Sequence, residues 1–113
     1  MAAWYVIAPA ALLVAYFLAS RGGKVPSARA KELVKGGARL IDVRTHAEFQ
    51  GGHLDGAINI PVQELESRLE DAGPKEATYV VYCASGMRSA RAKSILKASG
   101  RADVHDLGAM SRW

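Results

Sequence analysis

The stretch Thr78–Gly100 reads "TYVVYCASGMRSARAKSILKASG" and decides the fold. Its opening, "TYVVYC", is a continuous apolar run, and a strand apolar on both faces suits the centre of a parallel sheet. Three small residues follow, Ala84, Ser85 and Gly86, and then a helical segment that Gly100 ends. Ala90, Ile95, Leu96 and Ala98 are expected partly inward. The unit is strand, tight turn, helix, with Cys83 at the carboxyl end of the strand. Ligands of parallel sheets bind at that end. Cys83 is the only cysteine of the chain, and a lone cysteine is most often a packing residue. Here its surroundings argue for more. The amides of a small-residue turn form a nest for an anion, and the positive end of the following helix points at the same place. Arg88 adds a fixed positive charge. The first anion within reach is the Cys83 thiolate, so a lowered thiol pKa and a reactive sulfur are expected. No histidine base stands beside it.

Working outward, Ser27 reads as the N-cap of a short helix, "ARAKELVK", stopped by Gly36 and Gly37. "ARLIDV" (38–43) reads as a buried strand. "THAE" (45–48) has capping-box spacing and opens a turn of helix. "AINIP" (57–61) is a second short strand. "VQELESRLEDAG" places Val62, Leu65 and Leu69 on one face of a two-turn helix. "ADVHDL" (102–107) is a last strand. Strands alternating with helices give an α/β domain with a mainly parallel sheet. Its expected span is residues 27–113, after a glycine-rich linker at 21–26.

Residues 1–20 carry no charged side chain, and Ala2–Ala19 is an 18-residue mostly apolar run. As a helix it would be about 27 Å long, close to the thickness of a hydrocarbon core. Trp4, Tyr5, Tyr16 and Phe17 stand near its ends, as interfacial aromatics do. A cleaved signal peptide would need a basic start and a small-residue exit, and neither is present. A buried core helix is the other reading. The favoured one is a membrane anchor over residues 1–20. Arg21, Lys24, Arg29 and Lys31 follow it, which by the positive-inside rule places the domain in the cytoplasm.

The net charge is +4, from 15 basic and 11 acidic residues. There is no basic stripe interleaved with aromatics and no nucleic-acid motif, so a nucleic-acid partner is not expected. Anionic small molecules or a headgroup layer account for the balance equally well. A single cysteine excludes an intramolecular disulfide. His46, His53 and His105 lack metal-ligand spacing, so no metal is expected.

The loop "CASGMR" (83–88) resembles the active-site loop of the rhodanese family of sulfurtransferases. "LIDVRTHAEFQGGHLDGAINIP" (40–61) is similar to that family's N-terminal signature, and "LGAMSRW" (107–113) to its closing element. The resemblance covers nearly all of residues 25–113. It implies a rhodanese-like domain that moves a sulfane sulfur through a cysteine persulfide, without a cofactor. Cys83 would be the nucleophile. The amides of Ala84, Ser85, Gly86, Met87 and Arg88 would hold the persulfide, and Arg88 would attract an anionic donor such as thiosulfate. The acceptor would be cyanide, a thiol or a protein. Four residues separate Cys83 from Arg88. Cysteine phosphatases of similar fold have five, a ring wide enough for a phosphoryl group. The smaller ring suits one sulfur atom.

Asp42 and Arg44 match the family's Asp-x-Arg and are read as structural support, with Arg44 paired to Glu48 or another nearby carboxylate. His53 is expected to tie a turn. Trp113 reads equally as packing or as pocket rim. Arg91, Lys93, Lys97 and Arg101 read as a solvated face that could also receive an acidic protein or anionic lipid. Leu54-Asp55 and Ala109 depart from the family pattern. The former is expected to matter little, the latter to stiffen the rim. The alternative function is a binding or redox-sensing module at the membrane that kept the fold.

Overall fold

The computed structural model describes residues 23–113. The apolar segment Ala2–Ala19, and with it the anchor reading, lies outside those residues. Among the described residues no helix is long and apolar enough to cross a membrane.

Four strands form one parallel sheet: β1 (Arg39–Asp42), β2 (Ile58–Asn59), β3 (Tyr79–Cys83) and β4 (Val104–Ala109), in the order β2-β1-β3-β4. β3 pairs on both edges, and all five of its residues are buried, as its unbroken apolar run requires. Alternation sends its side chains to two different cores. Tyr79, Val81 and Cys83 share one face with Ile41 and Val43. That face is covered by α3 (Val62–Leu65), α4 (Leu69–Ala72) and α5 (Met87–Ala98) through Val62, Leu65, Ala72, Ala92 and Leu96. Val80, Tyr82 and Leu40 face the other way, under α1 (Ser27–Lys35) and the 3₁₀ turn Met110–Arg112, with Ala30, Leu33 and Trp113 against them. Burying each of these aliphatic side chains contributes roughly 1.5–3 kcal/mol.

The expected capping box is present. Thr45 opens α2 (His46–Gln50), its hydroxyl accepting from the Glu48 amide at 3.2 Å while Glu48 accepts from the Thr45 amide at 3.1 Å.

Five local expectations are corrected. Ser27 is the first helical residue of α1 rather than its cap, because its hydroxyl donates to the Trp113 carbonyl at 2.7 Å. Residues 62–72 form two single turns rather than one helix. The Ser67 hydroxyl bonds back to the Glu64 carbonyl at 2.9 Å, and Arg68 leaves the helical region at φ −125° and ψ 32°. On α5 Ile95 and Leu96 turn inward as expected, but Ser89 and Ala92 are the other buried residues, with Ala90 and Ala98 exposed. The stripe runs through a serine that hydrophobicity alone would pass over.

The assigned linker also reaches too far. Lys24 bridges Asp106 alongside β4, the Val25 amide donates to the Asp106 carbonyl at 2.8 Å, and Val25 is buried. Arg101, finally, is not on a solvated face. It is buried and donates to the carbonyls of Leu69 (3.0 Å) and Gly73 (2.6 Å) and to the hydroxyls of Tyr79 (3.2 Å) and Ser99 (2.8 Å). It closes the turn after α4 onto β3.

Candidate active site

Cys83 ends β3, and its side chain is fully buried where the chain turns into α5. The turn is possible because Gly86 takes the left-handed conformation, φ 104°, which glycine adopts without steric cost. A Cβ there would also meet the Cα of Gly108 at 3.7 Å, so the loop lies close against β4.

The Gly86 amide donates to the Cys83 sulfur at 2.9 Å. Burial pushes the thiol pKa up. The Ser89 hydroxyl and the amides of Ser89, Gly86 and Ser85 outweigh it, and the net direction is down. The Gly86 amide on the sulfur and the donors of Ser85 and Ser89 around it stabilise its thiolate form. The Ser89 hydroxyl also lies 3.1 Å from the Gly86 carbonyl, so rotating its proton lets it serve either acceptor. Ser89 lies one residue beyond the expected 84–88 cradle and adds to it. Nothing local in the sequence marks it: Ser89 reaches the sulfur only because the fold turns it to the inward side of α5.

The other loop residues divide by exposure. Ala84 and Ser85 are exposed, Gly86 is buried, and Met87 is 81% exposed at the rim. Arg88 does not stand free. Its Nη1 and Nη2 donate to the two carboxylate oxygens of Glu48 at 2.6 and 3.1 Å. This fork, then the Thr45 amide, holds the Glu48 carboxyl down to about 2. Arg88 in turn is raised, by Glu48 first, and it also feels the charge of Cys83.

Arg44 does not pair with Glu48. It forks onto Asp42, with Nη2 to Oδ2 at 2.6 Å, and reaches the Gly52 carbonyl at 2.7 Å. Asp42 Oδ1 also accepts from the Arg44 amide at 2.9 Å. Both residues are buried, so the pair locks the end of β1 against the turn before β2. The His53 ring stacks on Phe49 at 3.7 Å with Nδ1 3.0 Å from the Phe49 carbonyl, tying that turn. Leu54 is more than a surface residue: it packs on the core, and its amide donates to the Tyr82 hydroxyl at 3.0 Å. Trp113 packs on the core under α1 with the Lys31 ammonium 5.6 Å from its ring centre. Ala109, level with Cys83 across the sheet, has φ −70°, a conformation open to any residue. Among the described residues no group of three or more His, Cys, Asp and Glu side chains could hold a metal ion.

A protein-family model described as "Rhodanese-like domain" matches residues 26–113. The thiosulfate sulfurtransferase PspE of Escherichia coli is 42% identical over 71 residues, covering 62% of this chain and 68% of that protein. The uncharacterized protein YqhL of Bacillus subtilis is 39% identical over 77 residues, covering 67% of this chain and 60% of that protein. The structure of the human single-domain sulfurtransferase TSTD1 superposes with a TM-score of 0.71 at 30% identity, covering 80% of this chain and 93% of that one. The sequence motifs, the parallel sheet, the donor-lined cysteine and these matches agree: the chain belongs to the rhodanese family.

Proposed function

We propose that the protein is a sulfurtransferase that carries a sulfane sulfur on Cys83. The observation carrying this reading is the Cys83 sulfur, buried yet bonded by the Gly86 amide at 2.9 Å and held below its ordinary pKa. In the first half-reaction the thiolate attacks the outer sulfur of thiosulfate. An S–S bond forms on Cys83, the S–S bond of thiosulfate breaks, and sulfite leaves with the electron pair. The persulfide keeps one negative charge. In the second, a thiophilic acceptor (cyanide, a thiol or a protein cysteine) takes the outer sulfur and Cys83 returns as thiolate. This is covalent catalysis in two steps, and it needs no external oxidant or reductant.

The amides from Ala84 to Arg88 would receive the outer sulfur. Arg88, paired with Glu48, would draw the anionic donor by the part of its field that Glu48 leaves. Asp42, Arg44, His53 and Trp113 support the walls. Residues 1–20 would anchor the domain as a single span with the domain in the cytoplasm.

Steady-state turnover of thiosulfate with cyanide tests the activity. The native chain should produce thiocyanate and the Cys83→Ser variant none; equal turnover by both would refute the reading. Retention in the membrane pellet after alkaline extraction tests the anchor, and release into the supernatant would refute it.

A further inference from the structure

Behind the cradle lies an ion pair that belongs to no motif. The Lys24 ammonium sits 2.6 Å from Asp106 Oδ2 and 3.4 Å from the Gly86 carbonyl. Asp106 is 3% exposed, and its Oδ1 accepts from the Gly108 amide at 2.8 Å. Register between β3 and β4 slips here, with Val81 opposite Asp106 and Tyr82 opposite Gly108. Asp106 thus braces a bulge at Leu107, and Gly108, which follows it with φ 87°, lies against Gly86 and the Lys24 stem. The Gly86 carbonyl receives the Ala90 amide (3.2 Å), the Ser89 hydroxyl (3.1 Å) and the Lys24 ammonium, while the Gly86 amide donates to the sulfur. One glycine therefore lies between Lys24 and Cys83, which puts the ammonium within about 10 Å of the sulfur.

We propose that Lys24 and Asp106 are a positioning pair for the sulfur cradle: they fix Gly86 from behind and set the charge against which the Cys83 sulfur holds its electrons. Other charges near the pair are Lys93 of α5, which feels both Lys24 and Asp106, and Arg112, which binds the Leu107 carbonyl. Arg88 with Glu48 faces the cradle from the helix side. None of these replaces Lys24 on the Gly86 carbonyl. The proposal deepens the sulfurtransferase reading, on which its consequence for turnover rests.

Charge gives the pair an asymmetric signature. Removing Lys24 strips a cation and leaves a buried carboxylate uncovered, which disfavours the thiolate. Removing the charge of Asp106 leaves the cation uncovered, which favours it. Asparagine keeps the Oδ1 acceptor for Gly108, and methionine keeps the lysine stem, so both changes are gentle on packing.

The test is the rate of iodoacetamide alkylation against pH, on the full chain in detergent, where Cys83 is the only thiol. The half-maximal pH of Lys24→Met should rise by about half to one unit, and that of Asp106→Asn should fall by a similar amount. The double variant should return close to the native value. Circular dichroism identifies any variant that fails to fold; should Lys24→Met do so, the fall in Asp106→Asn alone decides. Shifts in the same direction, or none, overturn the proposal. Alkylation needs no sulfur transfer. Unshifted profiles with full thiosulfate turnover would remove the pair and leave the function, while opposite shifts without turnover would do the reverse.

Discussion

A thiol at the end of a buried strand should be a weaker acid than one in water, because its thiolate loses hydration. Cys83 goes the other way because the Gly86 amide bonds its sulfur and the hydroxyl and amide of Ser89 favour the charged form. Ser89→Ala removes the hydroxyl and keeps the amide. The half-maximal pH for alkylation of Cys83 should then rise by about one unit, the scale of one hydrogen bond to a charged group. Below the native thiol pKa the variant should react about tenfold more slowly, and far above both values the difference should vanish. At this scale the nucleophile was legible, because a cysteine, small residues and an arginine at fixed spacing carry their chemistry in their identities. Ser89, Lys24 and Asp106 were not. Each acts through a contact made by the fold, and a serine inside a helix or a lysine in a glycine-rich run has nothing local to mark it.

Among the elements, α2 and α5 are joined across the mouth of the site by the Glu48–Arg88 fork. Glu48 therefore has two tasks, closing the capping box of α2 and holding the first turn of α5. Glu48→Gln keeps the cap and loses the ion pair. The expected loss is on the order of 1 kcal/mol, since both side chains are about a third exposed and water screens them. The carboxyl is depressed from 4.5 to about 2 in the folded protein. Its contribution is therefore fully present above pH 4.5 and disappears as pH falls toward 2. Urea denaturation of the two proteins should show a constant gap near neutrality that closes in acid; a gap unchanged at pH 2 would contradict the assignment. Arg101 joins elements in a different way, by donating to the Leu69 and Gly73 carbonyls at the end of α4. Arg101→Met should cost about 3 kcal/mol through the buried acceptors left unpaired, measured as a lower urea midpoint, with the alkylation profile of Cys83 unchanged. The capping box of α2 was readable because Thr45 and Glu48 carry it in sequence. The break between α3 and α4 was not, because it depends on the Ser67 hydroxyl and on Arg68 pairing with both Glu64 and Asp71.

For the molecule as a whole, alternation of strand and helix specified a parallel sheet with β3 inside it, since only a strand covered on both faces can be apolar throughout. The edge beyond β4 was less legible. Lys24 and Val25 read as linker because glycines precede them, yet they bind Asp106 and close that side of the domain. The chain entering the domain therefore touches the wall of the site directly. In the proposed anchored protein the cradle and the membrane span would be separated by a few residues only.

The central claim is that Cys83 carries sulfur. Intact-mass measurement of the chain after mixing with thiosulfate, followed by removal of excess donor, tests it most directly. The native protein should gain the mass of one sulfur atom and lose it on adding cyanide, while Cys83→Ser should gain nothing. A native protein that stays at its unmodified mass, with thiosulfate and with other sulfane donors, would contradict the account.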